Sequence, residues 1–160
     1  MIVVSDTSPI SNLAAIGQLQ LLQQLYENII IPTAVYQELL NSGDTDPGAL
    51  AVQSFSWIQV RSITNISLFQ ALTANLDPGE AEAITLAVEL SAERLIIDER
   101  RGRNEALNLG IKVTGILGVL LAAKQQGLIV QVKPLLDNLI AQGFWMRQEL
   151  YAEVLLLAGE

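Results

Sequence analysis

Two periods alternate along this chain: short apolar runs, and longer stretches whose apolar residues recur every three or four positions. Four runs read as strands, near 2–5, 28–31, 94–98 and 111–113. Each is short, apolar and closed by charge, proline or a turn, as a strand buried on both faces should be. Trp57–Val60 can add a short fifth. Helical spacing fills the remainder. The predicted helices run from Thr7 or Ser8 to about Ala15, then over Gln18–Tyr26, Thr33–Asn41, Ala49–Phe55 and Ser67–Ala74. Ala81–Leu90, Gly102–Leu109, Leu117–Gln126, Val132–Gln142 and Met146–Ala158 follow. Pro9 suits a first helical turn, and Gly17 and Gly110 are stops. Asn41–Gly48 is the clearest loop. Strands alternating with helices predict an α/β fold, a three-layer αβα sandwich around a central, mostly parallel sheet. Right-handed crossovers then bring several strand ends to one edge.

The stretch from Leu76 to Glu105, LDPGEAEAITLAVELSAERLIIDERRGRNE, shows the pattern most densely. Asp77-Pro78-Gly79 is turn chemistry, and Asp77 or Gly79 can cap the helix that follows. Ala83, Ile84, Ala87, Val88 and Leu90 form its core-facing stripe. Arg94-Leu95-Ile96-Ile97 is a buried strand that ends in Asp98. Asp6 has the same address, just past the strand at Ile2-Val3-Val4. In open α/β sheets ligands bind outside the carboxyl ends of the strands.

Composition narrows the chemistry. A chain of 160 residues reads as one domain, 1–160, and buries roughly 70% of its unfolded surface. With 51% hydrophobic and 16% charged residues it is not a disordered sequence. It has no cysteine and no histidine. Disulfides, thiolate nucleophiles, imidazole ligands and a Ser-His-Asp triad are therefore excluded. Any metal site must be built of oxygen, which points to Mg²⁺ or Mn²⁺. The start, MIVVSDTSP, lacks a basic region, and no apolar run is long enough to span a bilayer, so a soluble, cytoplasmic protein without membrane contact is expected. The net charge of −8 argues against a broad nucleic-acid footprint. Yet four of the nine basic residues, Arg94, Arg100, Arg101 and Arg103, fall within ten positions.

Four acids can gather at the sheet edge: Asp6, Glu38, Glu80 and Asp98. Each also has a structural explanation. Asp6 can be a helix cap, Glu80 can answer a helix dipole, Glu38 can be a solvated helix residue, and Asp98 can start a turn. Their coincidence is the signal, because clustered carboxylates repel unless a cation holds them. Arg100 lies near Asp98 in sequence, but Asp6 has no basic neighbour. Thr7, Ser8 and Glu99 flank these acids and are secondary candidates. Glu82 competes with Glu80, although two helical residues two apart do not share a face.

Taken together, these residues resemble a known family. VVSDTSPISNLAAIG, IIIPTAVYQEL, LDPGEAEAITLAVEL, LIIDERRGRNEALNLGIKVTGILGVLLAAKQQGLI and PLLDNLIAQGFWM resemble a PIN-domain protein of the bacterial PIN-like subgroup. The resemblance runs nearly end to end. It implies a metal-dependent ribonuclease fold with acids around one or two Mg²⁺ or Mn²⁺ ions. Asp6 would be the first-strand acid, Glu38 the helix acid and Asp98 the last-strand acid, with Glu80 where relatives usually carry Asp. Asp6, Glu80 and Asp98 would bind metal, with Glu38 direct or through water. Arg100, Arg101 and Arg103 would hold RNA phosphate. Many relatives are toxins of toxin–antitoxin pairs, inhibited by a small partner protein.

The function expected is therefore cleavage of single-stranded RNA by a metal-dependent endoribonuclease. The alternative is a non-catalytic nucleic-acid- or protein-binding PIN-like module. DNA is a further possible substrate. A homodimer is also expected, from apolar surface on Val132–Ile140 and Leu150–Leu157 and from the three consecutive leucines Leu155, Leu156 and Leu157.

Overall fold

The computed structural model describes residues 1–160. Its centre is a five-stranded sheet: β1 (Val3–Ser5), β2 (Ile29–Pro32), β3 (Ile58–Arg61), β4 (Arg94–Ile96) and β5 (Val113–Thr114). The order is β3-β2-β1-β4-β5 and every pairing is parallel. Successive strand residues face opposite ways, as the pleat requires. Val3, Ile29, Ile31, Ile58 and Ile96 join one core, and Val4, Ile30, Leu95 and Ile97 the other. That two-sided burial explains the apolar runs of the inner strands β1, β2 and β4, whereas the edge strand β3 alternates as Ile-Gln-Val-Arg and is largely exposed.

Ten helices cover the two faces. On the first face are α1 (Thr7–Ala15), α2 (Gln20–Tyr26), α3 (Thr33–Leu40), α4 (Pro47–Ser54), α8 (Ile116–Gln125), α9 (Lys133–Ala141) and α10 (Gln148–Leu157). On the second are α5 (Ile66–Leu72), α6 (Pro78–Glu89) and α7 (Arg100–Asn108). The result is the three-layer αβα arrangement that the periodicity predicts. No helix is long and apolar enough to cross a membrane.

The connections locate the candidate edge. From β1 the chain passes through α1 and α2 to β2, and through α3 and α4 to β3. It then crosses through α5 and α6 to β4, on the other side of β1. Helix α1 leaves β1 on one face, and α7 leaves β4 on the opposite face. Strands β1 and β4 therefore flank a topological switch point, where a crevice opens at their carboxyl ends. Their ends are level, because Ser5 pairs with Ile96 and the Asp6 amide donates to the Ile96 carbonyl at 2.9 Å.

Local boundaries depart from the sequence reading where caps decide them. Helix α6 starts at Pro78, ahead of Ala81, because Asp77 and Glu80 form a reciprocal capping box and proline fits the first turn. Helix α4 begins inside the expected 41–48 loop, where the Asp46 carboxylate caps the Ala49 amide at 3.0 Å. Helix α7 starts at Arg100, so Arg100, Arg101 and Arg103 lie in its first turns. Strand β4 pairs only to Ile96, which leaves Asp98 two residues past its end. The 58–61 segment is a full edge strand.

Candidate functional site

Asp6 sits at the centre of the edge. It holds the residue position ahead of α1, yet its side chain makes no capping hydrogen bond. The cap explanation therefore does not account for it. Asp6 is only 4% exposed. Burial pushes its carboxyl up to about 7, against the pull of the Thr7 amide, and the charges of Asp77, Glu38 and Asp98 push it further. Those three charges show which acids the fold brings around Asp6.

Each neighbour is fixed by its own element. Asp98 accepts from the Ile116 amide at the start of α8, at 2.7 Å through Oδ1. Its Oδ2 is buried without a hydrogen-bond partner. Burial raises the Asp98 carboxyl, and the Ile116 amide and the Arg103 charge oppose the rise. A buried carboxylate oxygen left without a partner is costly unless a ligand completes it. Glu38, in the second turn of α3, accepts from the Thr7 hydroxyl at 2.5 Å. It packs so closely on Gly79 that a Cβ there would collide with its carboxylate. Glu80 is 8% exposed in the first turn of α6. Burial pushes it up to about 7, with the bonded and charged Asp77 next and Asp6 adding a smaller push. Its Oε2 lies against Gly102 of α7, where a Cβ would come within 2.9 Å.

Asp77 is the acid that sequence reasoning treats only as a cap. It does cap α6, accepting from the Glu80 amide at 2.8 Å. It also adds negative charge beside both Asp6 and Glu80. The signal was its place three residues before Glu80 at a helix start, which aims both side chains at the same turn.

The remaining candidates separate. Glu82 accepts from the Ala34 amide at 3.1 Å and so closes the start of α3, where Pro32 offers no side-chain acceptor. Glu82→Ala is expected to cost about 1 kcal/mol of stability, the usual value of a lost cap, and to leave any Mn²⁺ response intact; thermal melts with and without Mn²⁺ check this. The Ser8 hydroxyl accepts from the Asn12 side-chain Nδ2 at 3.3 Å within α1. Glu99, Arg100 and Arg101 line an open, wholly polar cleft of about 730 Å³ with Asn75, Asp77, Glu80 and Asn104. Arg101 donates to the Asn75 carbonyl at 3.2 Å. Arg103 is not a member of that cleft. It turns inward and donates to the Ile97 carbonyl at 3.3 Å.

The residues match a divalent ion in donor type. All are hard oxygens, one buried oxygen lacks a partner, and burial, with the neighbouring acids adding to it, pushes the carboxyls of Asp6 and Glu80 up to about 7. No three of the acids close around one point, because Glu38 is turned to Thr7, Glu80 to Asp77, and one Asp98 oxygen to Ile116.

Comparison with known proteins agrees with this fold. A family model described as a PIN domain matches residues 2–160. No curated protein matches. Among solved structures, the chain is similar to a PilT N-terminus domain protein from the hyperthermophilic archaeon Sulfolobus solfataricus, with a TM-score of 0.55 and 23% identity. The match covers 77% of this chain and 93% of that one, and at this identity it speaks for the fold alone.

Proposed function

This chain belongs to the PIN-domain family, and from that premise we propose that it is a metal-dependent endoribonuclease acting on single-stranded RNA. The observation that carries the proposal is the pairing of Asp6 and Asp98 at the β1/β4 switch point, with Asp98 Oδ2 buried and unpartnered. Asp6, Asp98 and Glu80 would hold Mg²⁺ or Mn²⁺, and Glu38 would reach it directly or through water. Bound there, the ion supplies an activated water and neutralises charge developing on a phosphodiester. The protein's own groups set the stage for that chemistry. The Ile116 amide orients Asp98, the Thr7 hydroxyl holds Glu38, and Asp77 fixes the turn that presents Glu80. To hold the ion, Glu38 and Glu80 would give up their present hydrogen bonds to Thr7 and Asp77. Arg100 and Arg101, at the cleft beside Glu80, suit backbone phosphate, since guanidinium forms strong bonds to it.

Titration with Mn²⁺ tests the site. Binding to the native state raises stability by about 2.7 kcal/mol at a hundredfold excess over Kd. Heat on mixing and a higher melting temperature are expected. Neither would be seen if the chain is a non-catalytic binding module, a reading favoured by the fact that no three of the acids close around one point.

Partners belong to the same proposal. Two of the three leucines ending α10 stand in water, Leu156 at 79% and Leu157 at 69% exposure, with Trp145 nearby in sequence at 78%. Apolar side chains that form a contiguous exposed patch mark contact surfaces, and Leu156 and Leu157 are adjacent. A homodimer through this end of the molecule is expected, and sedimentation should report twice the 17.4 kDa of one chain. A clean monomer at micromolar concentration excludes it. Likeness to toxin ribonucleases further suggests a small inhibitory protein, which should copurify when encoded beside this chain.

A further inference from the structure

Of the three arginines in DERRGR, only Arg103 is drawn away from the cleft, and its surroundings give it a different task. Arg100 and Arg101 are exposed, whereas Arg103 is half-buried with its guanidinium on the Ile97 carbonyl. Gly115 lies between Arg103 and Asp98. A Cβ at position 115 would come within 2.7 Å of Arg103 Nη1 and 2.8 Å of Asp98 Oδ1. The backbone of Gly115 is extended, at φ −95 and ψ 179, which any residue adopts. Glycine is needed there for space and not for its conformational freedom. The next residue, Ile116, donates its amide to the same Asp98 oxygen at 2.7 Å. One Asp98 oxygen is thus tied by an amide with a cation beside it, while the other is buried and free.

We infer that Arg103 is a positioning residue: with the bare Gly115 backbone and the Ile116 amide it forms a cradle that fixes Asp98 through Oδ1 and presents Oδ2 to the divalent cation. This rests on the reading of the edge as a metal site. The cradle occupies one oxygen and leaves only the other without a partner. Groups behind a ligand commonly change metal affinity by about 10- to 100-fold. The competing role, direct binding of RNA phosphate, leaves a different signature. Removing one phosphate-bound cation from a complex with single-stranded RNA lowers the slope of log affinity against log salt by about 0.7.

The test compares Arg103→Met, Arg103→Lys, Arg101→Met and Gly115→Ala with the wild type. Two quantities are measured: the Mn²⁺ dependence of the melting temperature, and the salt dependence of affinity for a single-stranded oligoribonucleotide in EDTA. Arg103→Met should weaken the Mn²⁺ response by about 10- to 100-fold and keep the wild-type salt slope. Arg103→Lys should recover part of that loss. Gly115→Ala, which leaves every charge in place and only fills the cradle, should weaken the Mn²⁺ response in the same way. Arg101→Met should do the reverse, with an intact Mn²⁺ response and a salt slope lower by about 0.7. Metal-free melts establish that each variant folds, and Arg103→Lys and Gly115→Ala decide the matter if Arg103→Met does not. An unchanged Mn²⁺ response in Arg103→Met and Gly115→Ala overturns the inference, as does a reduced salt slope in Arg103→Met. A wild-type protein indifferent to Mn²⁺ overturns the metal reading and this inference with it.

Discussion

Asp6→Asn is expected to make the metal-free protein more stable above pH 7, although it removes the central acid of the site. The wild-type carboxyl is buried at 4% exposure and pushed from 3.8 up to about 7, chiefly by burial and then by Asp77, Glu38 and Asp98. At pH 8 it must ionise where ionisation is disfavoured. Each pH unit between the unfolded and folded values costs about 1.4 kcal/mol, so the penalty is on the order of 2–4 kcal/mol. Asparagine keeps the volume and stays neutral. For a domain of this size that is a rise of several degrees in melting temperature, on the order of 5 °C or more. Calorimetric melts in EDTA at pH 8 check it. A variant that melts lower than the wild type would mean that Asp6 serves the start of α1 after all.

The second large effect is the pH dependence of the metal-free protein. Asp6 and Glu80 are both raised to about 7, and Asp98 is raised as well. A group whose folded value lies above its unfolded one binds protons more readily in the native state. Its contribution to stability is complete below the unfolded value and is lost as pH rises through the folded one. The melting temperature in EDTA should therefore fall as pH goes from about 5 to about 8. Glu160, held down to about 2 chiefly by the Val132 amide and then by Lys124, acts in the opposite direction. Its contribution fades only in strong acid, so it does not mask the trend. Millimolar Mg²⁺ or Mn²⁺ should remove the slope near pH 8, because ligation requires the ionised carboxylates that burial disfavours. A flat profile between pH 5 and 8, unaffected by Mg²⁺, contradicts a crowded acid site.

Why these two effects were partly foreseeable lies in particular residues. The strands were visible because burial on both faces demands unbroken apolar runs, as at Ile29-Ile30-Ile31 and Leu95-Ile96-Ile97. Asp6 and Asp98 were visible because each follows such a run. Their adjacency was not, since nothing local says that β4 inserts beside β1 while β2 lies on the other side. The side-chain partners were equally hidden. Glu38 meets Thr7 across 31 positions and Glu82 meets Ala34 across 48, and sequence spacing carries no trace of either pairing. Arg103 read as one more phosphate ligand because it lies in the same basic run as Arg100 and Arg101. Only the packing of Gly115 against it shows that it faces Asp98. Asp77 read as a cap because it is one, and its second effect on Asp6 appears only once β1 and α6 are packed together.

Cleavage of a single-stranded RNA tests the central claim most directly. The wild type, Asp6→Asn, Asp98→Asn and the double variant are assayed with Mg²⁺, with Mn²⁺ and in EDTA, beside a DNA strand of the same sequence. The wild type should cut RNA only when the metal is present, and the loss in each single variant should be on the order of 10³-fold. The double variant should be no worse than the poorer single one, because both acids serve one site. Cleavage that persists in EDTA, or in the double variant with metal, would show that Asp6 and Asp98 do not form the catalytic centre.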